Sequence, residues 1–471
     1  MKPSQAPLFA LLLVSALLLS ACATVPSPTA TATLTPTRLP SATATTSPTP
    51  SATPTRTTPL TIDPAALRGL SLQVWDAFSG PAAAAFASRA AVFNNSNEWG
   101  ITLNRTDFGD YPSLYEAVNA ALKSGGAPDM AVTLPEQVLA WDASGAVVDL
   151  NPYIGDPLWG LKENEIADVP AAFWAQDVVN GRRLALPAQP SARLLFYNKT
   201  WAHQLGFSLP PANADEFRQQ ACAANASLRT DADPQNDGYG GWVVDPNWQT
   251  TLSWMLAFGG GVTEEGGYRF RSDQNLAALQ YIKRLYDDHC AWISTQPTAY
   301  DSFALRAALF MSGDLAEVPL VAGAMSRERN PDDWTVIPFP GPQSGALVTY
   351  GPSYSLLAST PEKQLAAWLF VRWSLSPENQ VMWIMATGSL PLRTSALDAL
   401  EAYRTTQPQW DAAAGLLHLA QDTPELASWR QVRYLLEDGT LSIFRTNLAA
   451  EKIPNVLAQM DAMAEELGKS P

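Results

Sequence analysis

The amino-acid sequence predicts an α/β fold that becomes largely helical toward its C-terminus. From about residue 70 to residue 132, short β-prone runs alternate with segments of helical periodicity, which favours parallel strands joined by helices. Beyond Asn213 helical patterns dominate, and two segments there carry a capping residue, a proline and an acid in succession, as helix starts do. The apolar fraction of 46% in 471 residues is enough for a packed core, and the length fits two or three domains or one bilobal unit.

Each predicted element follows from its local pattern. The strands are short runs of β-branched, aromatic and aliphatic residues, whereas the helices repeat apolar residues three or four positions apart. The pair Gly125-Gly126 marks the end of the second helix. In chain order, the predicted elements are strand Ser71–Trp75, helix Pro81–Phe93, strand Ile101–Leu103, helix Leu114–Leu122, strands Met130–Val132, Arg183–Leu186 and Arg193–Tyr197, a helix from Ser272, strand Trp334–Pro338, helices from Thr360 and Ser376, and helical hairpins from Ala396.

The first residues have the pattern of an export signal. A short basic start precedes an apolar stretch from Leu8 to Leu19, which is shorter than the ~20 residues that a transmembrane helix needs. Residues 19–22 read Leu-Ser-Ala-Cys and resemble a bacterial lipobox, in which the cysteine is acylated after cleavage. We therefore expect residues 1–21 to be a lipoprotein signal peptide and Cys22 to be the lipidation site. The alternative is an ordinary signal peptide with an incidental cysteine.

The stretch that follows predicts an extended tether. Residues 22–59 contain no acidic residue, two arginines, and almost nothing else but Thr, Ala, Ser and Pro. Such a composition cannot bury enough apolar area to offset the entropy of folding, and its Thr-Pro repeats favour extended conformers. We expect residues 22–66 to be a disordered tether that holds the folded part, residues 67–471, at the extracytoplasmic face of the cell membrane.

The composition excludes some classes of partner and chemistry. The chain has 45 acidic and 30 basic residues, which argues against nucleic-acid binding because phosphate contacts require clustered Lys and Arg. Only three histidines are present, which disfavours a histidine-rich metal site. The sequence lacks a Gly-x-Ser-x-Gly elbow and a His-Glu-x-x-His motif, although a pair of carboxylates could still support glycoside hydrolysis.

Two cysteines remain if Cys22 carries lipid. Cys222 and Cys290 would close a loop of about seventy residues, and export makes a disulfide permissible. We therefore favour a disulfide over free buried thiols.

One loop resembles a calcium site. Its carboxylates, Asp231, Asp233 and Asp237, alternate along the chain before Gly238. However, Trp242 stands where such loops carry a glutamate, so an Asp-rich surface turn is the favoured interpretation.

Several short motifs stand in a characteristic order from about Leu70 to the end of the chain. They are Trp99–Thr102, Gly109–Tyr111, Ser124–Asp129, Gly145–Leu150, Gly181–Pro187, Leu195–Lys199, Asp215–Phe217, Pro361–Trp373, Ser376–Glu378 and Leu390–Arg393. Their order and spacing resemble the extracellular solute-binding protein family 1 of ABC importers. The resemblance implies a type II periplasmic-binding-protein-like fold, with two α/β lobes joined by a hinge, a helix-rich C-terminal lobe, and solute bound in the cleft between the lobes.

The resemblance also implies that the chain crosses between the lobes more than once. We place the first crossing near Arg183–Pro190 and the later ones near Glu317–Val321 and Leu375. The ranges expected from these crossings are 67–184 and 318–375 for the N-lobe, and 185–317 and 376–471 for the C-lobe.

Aromatic, carboxylate and amide side chains gather where the predicted strands end. Ligands of open α/β sheets bind beyond the carboxyl ends of strands, and sugars suit both aromatic rings and carboxylates. The resemblance adds positions near the crossings and in the C-lobe, while core packing or a plain turn is the alternative for the aromatic ones. The predicted ligand-binding residues are Trp75, Asp76, Phe78, Asp107, Asp110, Tyr111, Glu136, Gln189, Arg193, Trp248, Gln249, Glu317, Tyr350 and Tyr354.

These observations predict the membrane-anchored substrate-binding component of an ABC importer, which captures a sugar or oligosaccharide and delivers it to a permease. We expect a monomer without enzymatic activity, cofactor or metal. Two alternatives stay open: a secreted glycan hydrolase, and a binding module that feeds a sensor.

Overall fold

The computed structural model describes residues 59–469 except 295 and 297. The predicted signal peptide, the lipidation site Cys22 and residues 22–58 of the predicted tether lie outside the described residues. In chain order, the strands are β1 (Ser71–Asp76), β2 (Thr102–Asp107), β3 (Met130–Thr133), β4 (Val178–Val179), β5 (Arg182–Arg183), β6 (Leu186–Pro187), β7 (Ser191–Asn198), β8 (Trp242–Val244), β9 (Thr263–Glu264), β10 (Gly267–Tyr268), β11 (Ala291–Ile293), β12 (Phe310–Asp314), β13 (Trp334–Ile337), β14 (Phe339–Pro340), β15 (Gly345–Tyr350), β16 (Ser353–Leu356) and β17 (Ala420–Asp422).

The helices follow the same chain order. They are α1 (Gly80–Ser96), α2 (Tyr111–Ser124), α3 (Pro135–Asp142), α4 (Asn151–Ile154), α5 (Glu163–Ala167), α6 (Ala171–Ala175), α7 (Lys199–Gln204), α8 (Ala214–Arg229), α9 (Trp248–Ala257), α10 (Asp273–Asp287), α11 (Tyr300–Ala304), α12 (Val318–Arg327), α13 (Pro361–Ser374), α14 (Pro377–Thr387), α15 (Glu401–Thr406), α16 (Pro408–Gly415), α17 (Trp429–Val432), α18 (Tyr434–Ile443) and α19 (Ile453–Gly468). Short 3-10 helices span Pro64–Leu67, Leu315–Glu317, Thr394–Leu400, Leu417–Leu419 and Ala450–Lys452. In the described part of the chain, no helix combines the length and apolar composition required to span a bilayer.

The first sheet defines the N-lobe. Its strand order is β2-β1-β3-β16-β6, with β1 parallel to both β2 and β3, and β16 antiparallel to β3 and β6. Helices α1 and α13 pack against this sheet, and β3 is buried along its whole length. The parallel pairing confirms the α/β arrangement predicted from the alternation of strands and helices, and it brings the carboxyl ends of β1, β2 and β3 to one edge.

The second sheet defines the C-lobe. Its main path is β11-β8-β12-β7-β15-β14, while β13 also pairs with β7 and β17 with β15. Residues of β7 alternate between two buried clusters, with Leu194 and Phe196 on one face and Leu195 and Tyr197 on the other. Both faces of the central strand are therefore covered, as expected for a strand that reads as a continuous apolar run.

Two segments that cross between the lobes lie side by side. Residues 188–190 join β6 to β7, and Gly351-Pro352 joins β15 to β16. The Ala188 N–H donates to the Pro352 carbonyl at 2.8 Å. A Cβ added to Gly351 would lie 2.2 Å from the Gln189 carbonyl oxygen, so only glycine allows the two backbones to approach this closely.

The return crossing predicted near Glu317–Val321 is wrong. Helix α12, which begins at Val318, packs on α11, and β13 and β15 that follow it both pair with β7. The chain therefore stays in the C-lobe until Tyr350. The apolar residues at the start of α12 do not indicate which sheet the following strands join. The local sequence pattern therefore could not show that β13 and β15 belong to the C-lobe.

The crossing predicted near Leu375 is also wrong. Helix α14 packs on α1, and Arg89 of α1 donates to the Asn379 carbonyl at 2.6 Å. Arg393 continues this N-lobe packing through an ion pair with Asp168 at 2.7 Å. The chain reaches the C-lobe only with α16, which packs on β13.

The described structure begins on the N-lobe before the predicted domain start at residue 67. The Leu60 N–H donates to an Asp156 carboxylate oxygen at 2.7 Å. The 3-10 helix Pro64–Leu67 packs on α13 and buries Leu67 completely. Residues 60–66, which the sequence assigned to the tether, are thus part of the folded unit.

A disulfide joins Cys222 of α8 to Cys290, which directly precedes β11. This is the pairing that the sequence favoured over free thiols. It fastens a long C-lobe helix to the edge strand of its sheet.

Candidate functional site

The two lobes meet at the carboxyl ends of β1, β2 and β3. Glu136, at the start of α3, lies directly beyond β3, and its carboxylate accepts a hydrogen bond from Arg433 at 2.7 Å. Arg433 stands between α17 and α18 of the C-lobe, so this ion pair spans the cleft. Burial raises the pKa of the Glu136 carboxyl, and the positive charge of Arg433 opposes that rise.

Aromatic rings cover the C-lobe wall beside this ion pair. Trp248 begins α9, and its ring lies 5.5 Å from Trp429 and 6.2 Å from Tyr350, centroid to centroid. The Arg433 guanidinium lies 5.7 Å from the Trp248 ring centre. The Trp248 ring and the Arg433 guanidinium, which is paired with Glu136, thus lie together at the lobe interface.

The N-lobe wall also carries rings. Trp75 and Phe108 lie 5.0 Å apart at the ends of β1 and β2. Arg430 of the C-lobe lies 4.7 Å from the ring centre of Tyr115 on α2. A second cation therefore contacts the opposite lobe, as Arg433 does.

The Arg193 side chain is bonded to other residues of the C-lobe and is not free to contact a ligand. Its side chain is 1% exposed, and its guanidinium donates to Asp314 at 2.8 Å and to Asp245. It also donates to the Thr250 hydroxyl at 3.0 Å. Burial lowers the pKa of Arg193, but the two carboxylates outweigh that effect and raise the pKa overall. All three of these hydrogen-bond partners of Arg193 belong to the C-lobe.

A cavity of about 620 Å³, which Tyr111 helps to line, opens between the lobes. We call it the interlobe chamber. The N-lobe supplies the β1–α1 loop and the end of α14, Gln189 comes from the first crossing, and the C-lobe supplies the segment after β12. The lining residues are Ala77, Phe78, Ser79, Pro81, Ala82, Tyr111, Gln189, Leu315, Ala316, Val318, Pro319, Leu320, Met385, Ala386, Thr387, Gly388, Tyr403, Gln407 and Trp410. None of these described lining residues carries a charge.

Seven of the predicted ligand-binding residues lie at the interface between the lobes. Phe78, Tyr111 and Gln189 line the interlobe chamber. The other four, at the ion pair and its flanking rings, are Trp75, Glu136, Trp248 and Tyr350. The structure thus gathers residues from six separate stretches of sequence around one cleft.

Asp76 and Asp107 are engaged by one arginine. Asp76 is completely buried and binds Arg105 at 2.6 Å, and Asp107 binds the same guanidinium at 2.8 Å. Burial raises the pKa of Asp76, and Arg105 opposes this rise. The prediction that Asp76 contacts solute is wrong, because no part of its carboxylate is exposed.

Two further predicted carboxylates cap helices. Asp110 caps α2 by accepting the Ser113 N–H at 2.7 Å. Glu317 accepts the Asp314 N–H at 2.9 Å and the Tyr300 hydroxyl at 2.8 Å. Such bonds satisfy backbone donors at helix starts, which is a sufficient reason for these acids to be present.

Gln249 and Tyr354 lie away from the chamber lining. Gln249 is 7% exposed in the first turn of α9, where its N–H donates to Asn247 at 3.0 Å. Tyr354 belongs to β16, is 2% exposed and packs on Phe370 in the N-lobe core. The prediction that Tyr354 lines the cleft is therefore wrong.

Several chamber-lining residues and two arginines at the lobe interface were not predicted from the sequence. Val318, Pro319 and Leu320 lay in the stretch assigned to a crossing, and Met385–Thr387 in a helix assigned to the C-lobe. Arg430 and Arg433 lie in the helical C-terminal region, far from any predicted strand end. A local motif could not reveal them, because their role depends on contacts with α2 and α3, about three hundred residues earlier.

A carboxylate cluster, which we call the junction cluster, lies where the lobes join. Asp177 accepts the Ser353 hydroxyl at 2.7 Å, and its N–H donates to Glu425 at 2.9 Å. Burial raises the pKa of Asp177 to about 7 and that of Asp422 to about 6. Arg183 is the cation that faces Asp177 and Glu425.

The Asp-rich loop behaves as a turn. Asp231 accepts the Asp233 N–H at 2.7 Å and the Asn236 side chain at 2.9 Å, and Asp233 accepts the Gln235 N–H at 3.0 Å. The structure does not bring Asp231, Asp233 and Asp237 together as a metal-binding group, nor is any such group of three present elsewhere in the described residues. The calcium alternative is thus not supported.

Comparisons with known proteins agree with this architecture. A family profile described as "Bacterial extracellular solute-binding protein" matches residues 88–415. The sn-glycerol-3-phosphate-binding periplasmic protein of Salmonella typhimurium is 21% identical over 401 residues, which cover 80% of this chain and 89% of that protein.

Two solved structures share the fold. The sugar-binding protein MalE of Xanthomonas citri aligns with a TM-score of 0.73 at 20% identity, covering 85% of this chain and 97% of that one. The cyclic alpha-maltosyl-1,6-maltose binding protein of Arthrobacter globiformis aligns with a TM-score of 0.71 at 18% identity, covering 85% of this chain and all of the other. At these identities the likeness establishes the fold alone.

Proposed function

The chain belongs to the bacterial extracellular solute-binding protein family, and from that premise we propose that it is the lipid-anchored substrate-binding component of an ABC importer. In this proposal it captures a solute between its lobes and delivers it unchanged to a permease. The observation that carries the proposal is the interlobe chamber, whose walls come from both lobes and from the first crossing. A solute held there would contact both lobes at once and favour their closed arrangement.

We propose that the solute is of the carbohydrate type. The names of the relatives above point to sugars and to a glycerol phosphate, so the comparisons leave both classes open. Partly exposed rings of the chamber lining, such as Tyr111 and Tyr403, favour sugars, because they can cover the apolar C–H faces of a pyranose.

Solute binding can be tested by thermal unfolding of the chain from residue 23 onward, without lipid. The panel should contain mono- and oligosaccharides, sn-glycerol 3-phosphate and amino acids. A true ligand stabilises by RT ln(1 + [L]/Kd), which is about 2.7 kcal/mol at one hundred times Kd. Stabilisation by a sugar supports the proposal, and stabilisation only by another class of solute contradicts its carbohydrate part.

A matched pair of variants locates the binding site. Gln189 lines the interlobe chamber, whereas Gln274 is exposed on α10 and lies away from it. Gln189→Ala should weaken sugar binding at least fivefold, and Gln274→Ala should leave it unchanged. Equal affinities in the two variants would place the solute elsewhere.

Anchoring by Cys22 rests on the lipobox-like residues 19–22. Metabolic labelling with a radioactive fatty acid should mark the wild-type protein and not the Cys22→Ala variant. Label in both proteins, or in neither, would contradict the anchor without affecting solute binding.

A further inference from the structure

The interlobe chamber has a chemical character that narrows the solute class. We infer that the part of the solute that enters it is uncharged and apolar on at least one side, so that the ligand is a neutral amphiphile. A neutral saccharide with an apolar substituent, such as an aryl or alkyl glycoside, has this chemistry, whereas a phosphorylated or carboxylated solute does not. The inference rests on the proposed function in one respect, namely that solute binds between the lobes.

The described lining of the chamber lacks charge. The chain as a whole carries 75 acidic and basic residues, yet the described lining of the chamber contains none of them. A charged group that left water for such a chamber would lose its hydration without gaining a counter-charge, which is strongly unfavourable. The lining therefore selects against anionic and cationic solute groups.

Charged residues near the chamber are bonded within the protein. Glu136 binds Arg433 at 2.7 Å and is not part of the chamber lining. Asp314 directly precedes the lining residue Leu315, and its carboxylate binds Arg193 at 2.8 Å. Arg193 is shared by Asp245 and Asp314, and neither of these carboxylates is part of the chamber lining.

The lining exposes apolar surface. Leu320 is 52% exposed and Met385 is 57% exposed, and both line the chamber. An apolar substituent that covered these two side chains would remove their exposed surface from water, which is favourable.

The polar groups of the lining fit hydroxyls. They are the side chains of Ser79, Tyr111, Gln189, Thr387 and Gln407. Each can donate to or accept from a neutral hydroxyl, and none supplies a positive charge that would balance the charge of a phosphate. The chamber therefore suits a ligand that combines an apolar face with a few hydroxyls.

A pair of fluorescent dyes tests the character of the chamber without knowledge of the natural solute. N-phenyl-1-naphthylamine is neutral, and 1-anilinonaphthalene-8-sulfonate is an anion of similar size and shape. We expect the neutral dye to bind the chain from residue 23 onward at least fivefold more tightly than the anion. Equal or tighter binding of the anion would overturn the inference, as would the absence of neutral-dye binding.

Two methionines of α14 provide a matched control. Met385 lines the chamber, while Met382 is 66% exposed on the same helix and is not part of the lining. Met385→Lys should weaken neutral-dye binding at least fivefold, and Met382→Lys should leave it within twofold of wild type. Equal effects of the two substitutions would mean that the dye binds elsewhere, which would overturn the inference.

Phenyl and methyl glycosides of the same sugars then separate this inference from the proposed function. A sugar that stabilises the protein equally well as its methyl and phenyl glycosides would overturn the inference and leave the proposed function standing. Neutral-dye binding in the chamber without stabilisation by any sugar would contradict the carbohydrate proposal and leave the character of the chamber established.

Discussion

The two sides of the cleft differ in how they use charge. On one side are the charged residues outside the chamber lining, Glu136, Arg433, Arg193 and Asp314, all of them bonded to partners within the protein. On the other side, the described lining of the interlobe chamber has hydroxyl, amide and apolar groups only. These charged residues are thus used for bonds within the protein, whereas the chamber, in its described part, presents uncharged groups only.

The largest expected effect comes from Arg193 on the charged side. Arg193→Ala leaves the Asp245 and Asp314 carboxylates without their cation, and breaking such a buried pair costs about 3–5 kcal/mol of unfolding free energy. Lys199→Ala is the control, because its pair with Asp333 is exposed and should contribute less than about 1 kcal/mol. Urea unfolding followed by tryptophan fluorescence measures both, and losses of equal size would contradict the structural role of Arg193.

The second-largest loss of stability is expected from the ion pair between Glu136 and Arg433 across the cleft. Glu136→Ala removes a charge-assisted bond to Arg433 and should lower the unfolding free energy by about 1.5–3 kcal/mol in urea unfolding. Met385→Ala, on the chamber side, changes an exposed side chain and should stay within about 0.5 kcal/mol of wild type. If Met385→Ala cost as much as Glu136→Ala, the contrast between the two sides would be lost.

The junction cluster should make stability depend on pH. Because burial raises the folded-state pKa of Asp177 to about 7, the folded chain holds a proton that the unfolded chain releases near pH 4. The contribution of protonated Asp177 to the unfolding free energy is thus complete below about pH 4 and is lost as the pH rises through about 7. Over this range the unfolding free energy falls by at most about 1.4 kcal/mol per pH unit because of this group. Asp177→Asn should flatten this part of the curve in urea unfolding between pH 5 and 8, and parallel curves for the two proteins would contradict the prediction.

The smallest effect concerns Asp110, which the sequence analysis assigned to the solute. Asp110→Ala removes the cap of α2 and should cost about 1 kcal/mol, with solute affinity unchanged. Glu116→Ala, an exposed change on the same helix, should stay within about 0.5 kcal/mol. A loss of solute affinity in Asp110→Ala without a loss of stability would restore the original assignment.

Much of the fold could be predicted from local patterns. The strand near Ser71 and the helices that begin after Ser272, Thr360 and Ser376 lie where apolar periodicity and capping residues placed them. The later crossings could not be predicted, because periodicity identifies an element but not the sheet that it joins. Helix α14 had a correctly predicted start and was still assigned to the wrong lobe.

The candidate site could also be predicted only in part, because it too depends on contacts between residues that are distant in sequence. The rule that ligands bind beyond strand ends led to Phe78, Tyr111 and Glu136, which do lie at the lobe interface. It also led to Asp76, whose partner Arg105 sits on the neighbouring strand and cannot be assigned from residue type alone. Which carboxylates are free for a ligand depends on pairings between residues that are distant in sequence.

The way the chain begins on the N-lobe has a mechanical consequence. The bond from the Leu60 N–H to Asp156 and the packing of Pro64–Leu67 on α13 fasten this end of the described chain to one lobe only. Tension that arrived along the preceding residues would be borne by the N-lobe and would not reach the paired segments at Ala188 and Pro352. The C-lobe would then carry no load and could turn about those segments while the other lobe is held.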